Sequence, residues 1–199
     1  MPEQVKIAVL GAGSWGTALA LALSRNQHKV TLWGHRESHC KAMKETGCNA
    51  QYLSGYIFPD NLQVESDLQK IVSEHKHYLL VPPSHAFRAT LKRLKQCNIE
   101  DDSLIIWATK GFDKDGPVLL SDVVTQELGE KVKKAIVSGP SFSKEVAGDL
   151  PTAITAAGDS EAISSEVAAL FLSGHMRVYT NPDFIGVQVG GAIKNVMAI

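Results

Sequence analysis

The chain has 199 residues and a formal net charge of −1, with 44% hydrophobic and 21% charged residues. This composition is typical of a globular protein, and the near-neutral charge argues against a nucleic-acid partner. The apolar runs fall far short of the roughly 20 residues that a membrane-spanning helix needs. Because the three cysteines, Cys40, Cys48 and Cys97, form no C-x-x-C pair, we expect free thiols and a cytoplasmic location.

Short apolar strands alternate with helical segments along the chain. This pattern predicts an α/β fold with a mostly parallel sheet covered by helices on both faces. The predicted strands are residues 5–10, 29–33, 78–81, 104–108, 135–138, 152–156 and 176–179. The predicted helices are residues 14–25, 37–44, 87–96, 119–128 and 161–172, and residues 52–61 are predicted to form a loop.

A glycine-rich turn, G-A-G-S-W-G, joins the first predicted strand to the first predicted helix. A G-x-G-x-x-G motif between a strand and a helix is typical of dinucleotide binding in a Rossmann-type, doubly wound sheet. Gly11 allows the tight turn, Gly13 lets the backbone approach a pyrophosphate, and Gly16 lets the helix pack close to the strand. Backbone N–H groups near Ser14 and Trp15 then point at the phosphates. The alternatives are a purely structural glycine turn and a Trp15 ring that only packs in the fold.

The second predicted strand ends without the carboxylate that usually binds the ribose 2′-hydroxyl of NAD(H). It runs instead into Gly34, His35 and Arg36. His35 and Arg36 can meet a 2′-phosphate, and the guanidinium can stack on adenine. We therefore predict a preference for NADP(H), with NAD(H) possible as a second cofactor; the alternative is a solvated His–Arg pair.

Unusual residues follow four of the predicted strands. Ligands of open parallel sheets bind beyond the carboxyl ends of the strands, so we expect these four segments to face one crevice. Lys110 would extend its amine into that crevice, and the turn at Gly139 with the Ser141 hydroxyl would hold a polar substrate. The alternatives are a surface lysine and an ordinary helix start. The four segments are residues 11–16, 81–84, 108–111 and 138–141.

No His, Cys or Asp cluster has the spacing of metal ligands, so we expect no metal site. The nearest candidate is the pair His75 and His77, which is predicted to lie in a solvated turn.

The segment after residue 181 predicts the start of a second domain. Asn181 and Pro182 are typical of a helix start, with asparagine as the cap and proline in the first turn. We therefore divide the chain into a dinucleotide-binding domain, residues 1–181, and the first helix of a helical domain, residues 182–199. Because that helix shows no end signal, we expect the sequence to be the front part of a longer protein.

The terminal helix carries Lys194 three and four residues after two glycines, Gly191 and Gly190. A helical side chain leans back over the preceding turn, so Lys194 lies over a patch without side chains. Each mid-helix glycine costs about 1 kcal/mol relative to alanine, which indicates that something approaches the backbone closely. Either another element packs there, or a ligand lies against the glycines and Lys194 reaches its reacting oxygen.

Four ordered motifs, GAGSWGTALA, ATKGF, SGPSFSKEVA and GVQVGGAIKNVMAI, resemble those of the NAD(P)-dependent sn-glycerol-3-phosphate dehydrogenases, the soluble bacterial form in particular. The resemblance spans essentially the whole chain. It implies a Rossmann domain followed by a helical domain, and interconversion of dihydroxyacetone phosphate and sn-glycerol 3-phosphate for phospholipid synthesis. A homodimer is a further possibility.

The resemblance also implies residue roles. Lys194 would be the proton donor and acceptor, and Lys110 would contact both cofactor and substrate. This chain departs from the family pattern at three positions. It has Trp15 where relatives carry Tyr or Phe, Ser143 where alanine is common, and Gln188 where many have Glu. The Arg-Asn segment that grips the substrate phosphate would lie beyond Ile199. The implied cofactor contacts are Ser14, Trp15, His35, Arg36, Lys110 and Ser143, and the implied substrate contacts are Lys110, Gly139, Ser141 and Lys194.

Two other functions stay open on the sequence alone. One is a related reductase of similar layout, such as a 3-hydroxyacid dehydrogenase, which would take a carboxylate instead of a phosphate. The other is a nucleotide-binding module without turnover. We also expect the 199-residue chain alone to bind NADP(H) weakly and to turn over poorly or not at all.

Overall fold

A computed structural model describes the backbone of residues 4–197 and the side chains of residues 4–193. The strands are β1 (Lys6–Leu10), β2 (Lys29–Trp33), β3 (Cys48–Asn49), β4 (Leu53–Ile57), β5 (Leu62–Glu65), β6 (His77–Leu80), β7 (Leu104–Trp107), β8 (Lys133–Ser138), β9 (Thr152–Gly158) and β10 (Met176–Thr180). The helices are α1 (Ser14–Arg25), α2 (Glu37–Thr46), α3 (Leu68–Glu74), α4 (Ser84–Gln96), α5 (Leu120–Leu128), α6 (Ser143–Ala147), α7 (Glu161–Phe171) and α8 (Phe184–Met197).

Eight strands form one sheet in the order β10-β9-β8-β7-β6-β1-β2-β5. The six strands from β8 to β5 in this order are mutually parallel, while β9 pairs antiparallel with β8, and β10 pairs parallel with β9. The predicted doubly wound, mostly parallel α/β sheet is therefore confirmed. Because the parallel strands all end at one edge, the loops that follow them are neighbours.

The sheet separates two apolar cores, and successive side chains of its central strands point alternately into one core and the other. Ile7 and Val9 of β1 belong to the core on one face, which also holds residues of α1, α6 and α7. Ala8 and Leu10 belong to the core on the other face, with α3, α4 and α5. The strands are apolar along their whole length because both faces are covered.

Helix α1 lies between the sheet and two further helices, and this explains its composition. Its residues from Gly16 to Ser24 are all buried. A helix that is apolar all round is typical of such a position, since no side faces water. The A-L-A-L-A-L run therefore fixes α1 beneath the glycine turn that precedes it.

The region between α2 and β6 differs from the prediction. The predicted loop at residues 52–61 contains β4, which pairs with β3 in a small antiparallel hairpin. Strand β5 forms the edge of the main sheet beside β2, and helix α3 packs into the core on one face of the sheet; neither element was predicted. The prediction is wrong here because β3 and β5 are only two and four residues long, too short for an apolar period.

His75 does not lie in a solvated turn, so that expectation is also wrong. Its ring is 7% exposed, with Nδ1 2.9 Å from the Ile71 carbonyl and Nε2 3.1 Å from Thr31 Oγ1. Burial lowers the pKa of His75 below its ordinary value. Thr31 lies on β2, 44 residues earlier, which no local pattern could indicate.

Helix α8 begins at Phe184, and its first-turn N–H is capped by Asp183 and not by Asn181. Asp183 Oδ1 accepts from the Gly186 N–H at 2.8 Å, whereas Asn181 Oδ1 accepts from the Asp183 N–H. The side chain of Gln188 in α8 is buried, and its Oε1 accepts from the Ser121 N–H at the start of α5. Helix α8 is thereby attached to the sheet domain.

Across the part of the chain that the structure describes, no helix has the length and apolar character needed to cross a membrane.

Candidate functional site

A cleft of about 870 Å³ opens beyond the carboxyl ends of the parallel strands. It is lined by the glycine turn, the end of β2, the start of α4, the end of β7 and the start of α6. Three of the four predicted strand-end segments thus share one cleft. Of the fourth, Ser141 lines the cleft, while Gly139 and Pro140 line an adjoining groove of about 290 Å³.

Two of the three glycines in the turn are required by packing. Gly11 has φ +133°, and an ideal Cβ there would lie 2.9 Å from the Val81 carbonyl oxygen. A Cβ on Gly16 would overlap the Gly11 carbonyl oxygen. Gly13 differs, because nothing lies within 4 Å of its ideal Cβ, so its backbone borders open space in the cleft.

Helix α1 begins at Ser14 with its N-terminus at the cleft. Gly13 precedes it and has no side chain to cap the first-turn N–H groups. Uncapped N–H groups and the helix dipole favour an anion at this position. The site therefore fits the pyrophosphate of a dinucleotide.

The Trp15 ring both lines the cleft and packs against the core. Its Nε1 is buried and has no hydrogen-bond partner among the described residues. The amine of Lys110 lies 5.8 Å from the ring centroid. Trp15 is therefore neither a pure packing residue nor a freely exposed ring.

The β2 end of the cleft is basic. Arg36 donates to the Tyr52 hydroxyl at 2.7 Å, and His35 beside it is exposed. The Arg93 guanidinium on α4 lies 4.8 Å from the centroid of the Trp33 ring and also lines the cleft. Of the described residues that line the cleft, none is Asp or Glu. The sequence interpretation missed Tyr52 and Arg93, whose place at the cleft depends on tertiary packing.

Glu65 is the carboxylate nearest to the end of β2 in the sheet, opposite Trp33. Despite partial burial, which opposes ionisation, N–H groups of Asp67 and Ser66 and the amine of Lys70 lower its pKa to about 2. Since Glu65 is already bonded to its own loop and to lysine, it is not presented to the cleft.

Lys110 lies at the other end of the cleft, where β7 ends. Its amine donates to the Gly139 carbonyl oxygen at 3.1 Å and so stands where the cleft meets the adjoining groove. Ser141 and Ser143 line the cleft beside it, and the Ser141 hydroxyl is buried with no partner among the described residues. An amine and an unsatisfied hydroxyl together suit a polar, anionic ligand.

The glycine patch of α8 borders the adjoining groove. Nothing lies within 4 Å of an ideal Cβ on Gly190, whereas a Cβ on Gly191 would lie 2.9 Å from Ser138 Oγ. Packing against the sheet therefore explains Gly191, and Gly190 borders open space. Lys194 lies in α8, but its side chain is outside the described residues.

Asn49 is a further residue that the sequence interpretation missed. It is fully buried, and its Nδ2 donates to the Ala12 carbonyl at 3.0 Å and to Thr17 Oγ1 at 2.8 Å. The hairpin thus holds the glycine turn from outside the motif.

As for metals, the described side chains include no group of three or more His, Cys, Asp or Glu that could bind an ion.

A helix that starts at a glycine turn, over the carboxyl edge of a doubly wound sheet and beside a basic cleft, defines a Rossmann-type dinucleotide-binding domain. The chain belongs to the NAD-dependent glycerol-3-phosphate dehydrogenase family. The model of that family's N-terminal region matches residues 6–164.

Relatives and solved structures agree with this assignment. Glycerol-3-phosphate dehydrogenase [NAD(P)+] of Photorhabdus laumondii is 46% identical, over 100% of this chain and 58% of its own length. The structure of glycerol-3-phosphate dehydrogenase from Coxiella burnetii is 42% identical, with a TM-score of 0.93 over 98% of this chain and 59% of that one. The Saccharomyces cerevisiae enzyme is 26% identical, with a TM-score of 0.85 over 98% and 62%. The chain thus spans about three-fifths of the length of these proteins.

Proposed function

We propose that this chain binds a nicotinamide dinucleotide in the cleft and provides that site for the interconversion of dihydroxyacetone phosphate and sn-glycerol 3-phosphate. Family membership supports the proposal. The observation that carries it is the position of Lys110, whose amine stands 3.1 Å from the Gly139 carbonyl where the cleft meets the groove beside Gly190. A substrate there would lie between the dinucleotide and α8.

When bound, the nicotinamide ring supplies or takes up the hydride. Lys110 stabilises the negative charge that develops on the carbonyl oxygen, and Lys194 transfers the proton at that oxygen. The Gly139 turn and the Ser141 hydroxyl hold the substrate, and Ser143 borders the nicotinamide. Gly11, Gly13 and Gly16, with the N–H groups near Ser14 and Trp15, hold the pyrophosphate.

The cofactor preference that we propose is NADP(H) over NAD(H). Arg36 and His35 stand at the end of β2, and the residues that line the cleft include cations but, among those described, no carboxylate to bind a 2′-hydroxyl. Dissociation constants for NADPH and NADH, measured for the wild type and for Arg36→Asp, test this preference. We expect the substitution to reverse it, and an unchanged ratio would contradict the proposal.

The deciding assay follows NADPH absorbance with dihydroxyacetone phosphate in a protein that carries the family's full length. We expect Lys194→Ala to lower the rate by at least about a hundredfold while NADPH still binds. An unaffected rate would refute the role of Lys194. A panel with 3-hydroxy acids tests the related carboxylate reductase, which the family match does not favour.

The remaining proposals concern the whole protein. Residues 1–181 form the dinucleotide-binding domain, and residues 182–199 begin a helical substrate domain. The enzyme is cytoplasmic, supplies glycerophospholipid synthesis and forms a homodimer. The 199-residue chain alone binds NADP(H) weakly and turns over poorly or not at all, and robust turnover by this chain would contradict that expectation.

A further inference from the structure

The loop after β7, residues 109–118, carries Lys110 and is here called the Lys110 loop. Three of its residues at alternate positions are anchored to residues 82–88, which comprise the end of the loop before α4 and the first turn of α4. Thr109 Oγ1 donates to the Pro82 carbonyl at 2.7 Å. Gly111 has φ +132°, and an ideal Cβ on it would lie 3.0 Å from Ser84 Cβ, so it fits only without a side chain.

The third anchor is Asp113, which is held by Arg88. Arg88 Nε and Nη2 both donate to Asp113 Oδ2, at 2.9 and 2.6 Å. The Asp113 side chain is 1% exposed and that of Arg88 is 17% exposed. Arg88 Nη1 also donates to Glu127 Oε1 of α5 at 2.6 Å. The guanidinium therefore joins the loop to two helices at once.

The geometry turns Lys110 toward the cleft. Thr109 and Lys110 line the cleft, whereas the side chain of Asp113, three residues after Lys110, is buried against Arg88 outside it. Ser84 and Arg88 are four residues apart on α4 and so lie on one face of that helix. Asp113 also closes the loop behind Lys110, because its N–H donates to the Val118 carbonyl at 3.0 Å.

We propose that Arg88 and Asp113 are positioning residues that hold Lys110 in place at the junction of the cleft and the groove. Neither Arg88 nor Asp113 lines the cleft, so their effect on a ligand passes through the loop. The inference rests on the proposed function only for the role of Lys110 in binding cofactor and substrate, since the position of Lys110 can be measured without any ligand.

The first test is the rate at which an amine-acylating reagent labels Lys110 in the folded chain, read by mass spectrometry. We expect Arg88→Gln and the isosteric Asp113→Asn each to raise that rate about tenfold. Each substitution removes the hydrogen bonds between two charged side chains that keep the Lys110 loop closed, so the loop should open more often. Arg88→Lys, which keeps the charge but not the fork, should give an intermediate rate. If Arg88→Gln does not fold, Asp113→Asn decides the outcome.

The matched control is Arg25→Gln. Arg25 is a more exposed arginine that also joins distant elements, because its Nη1 donates to the Val146 carbonyl at 2.8 Å and lies 3.8 Å from Asp149 Oδ1, but it does not line the cleft. We expect it to lower stability while Lys110 is labelled at the wild-type rate. The proposal is overturned if Asp113→Asn leaves Lys110 labelling unchanged, or if Arg25→Gln raises it equally.

The second test measures the dissociation constant of NADPH in a double-mutant cycle. Asp113→Asn should weaken binding about tenfold in the wild type but not in a Lys110→Met background, because its effect passes through Lys110. A purely structural role would give equal losses in both backgrounds and would overturn the positioning role. If the wild-type chain binds no NADPH, the proposed function fails, while the labelling result still decides the inference.

Discussion

The glycine turn and the Lys110 loop border the same cleft but are held by opposite means. In the turn, glycines let two stretches of backbone pack directly against each other, as Gly16 does against the Gly11 carbonyl five residues earlier. In the loop, the contacts are made by side chains from other elements, as between Asp113 and Arg88, 25 residues apart. The contact between Gly16 and Gly11 lies within one motif, whereas that between Asp113 and Arg88 joins two distant segments, so the sequence indicates the first contact and not the second.

Gly16→Ala tests the turn and should give the largest effect. A Cβ there overlaps the Gly11 carbonyl oxygen, and backbone cannot move aside as a flexible side chain can. We expect a loss of more than about 4 kcal/mol in the free energy of unfolding, measured by urea denaturation. Gly13→Ala is the matched control, because its Cβ meets nothing within 4 Å, and we expect it to lose less than about 1 kcal/mol while NADPH binding weakens. Equal losses for the two variants would break the argument.

Asp113→Asn tests the Lys110 loop. Both the size of the loss in unfolding free energy and its dependence on pH are informative. At neutral pH we expect a loss of about 3 kcal/mol, because Arg88 loses the more buried of its two carboxylate partners and keeps only Glu127. Hydrogen bonds from Arg88 hold the pKa of Asp113 below its ordinary value of 3.8. A carboxyl with a lowered folded pKa stabilises the protein above its unfolded pKa, and this stabilisation is lost as pH falls through the folded pKa.

The difference in unfolding free energy between wild type and Asp113→Asn should therefore be constant above about pH 5 and shrink below pH 3.8. Urea unfolding across this range measures it. Asp101→Asn provides the control, since its ion pair with Lys131 is exposed at the surface, and we expect a loss within about 0.5 kcal/mol. A difference that stays constant down to pH 3 would show that the charge of Asp113 is not what holds the loop.

Asn49→Ala tests whether the glycine turn is as local as the comparison assumes. The substitution removes both donors that Asn49 gives to Ala12 and Thr17, and leaves these buried oxygens without them. We expect a loss of about 2 kcal/mol in unfolding free energy. Gln51→Ala, on the exposed side of the same hairpin, should stay within about 0.5 kcal/mol. No loss from Asn49→Ala would mean that the motif alone holds the turn.

The same distinction explains which features could be predicted from the sequence. The sequence predicts residues 14–25 and 29–33 with the bounds that α1 and β2 have, because a helix that follows a glycine turn and a short apolar strand are local patterns. The buried His75 and the basic cleft residue Arg93 depend on partners from other elements, so no spacing along the chain indicated them. Besides the glycine turn, the sequence indicates Lys110, from its place at a strand end and from the ATKGF motif, but it does not indicate the contact between Asp113 and Arg88 that anchors the loop.

Gln188→Ala should give the smallest of these effects and extends the comparison to α8. Leu119 precedes α5 without a capping side chain, and Gln188 Oε1 accepts from the Ser121 N–H at 3.0 Å, from 67 residues away. We expect Gln188→Ala to lose about 1 kcal/mol, the usual cost of a lost helix cap. Gln188→Glu keeps the acceptor and places a negative charge at the N-terminus of α5, so it should recover most of that loss. Thermal unfolding of the three proteins measures both differences. Equal destabilisation by Ala and Glu would show that Gln188 acts through its amide donor to Phe184 and not as the cap of α5.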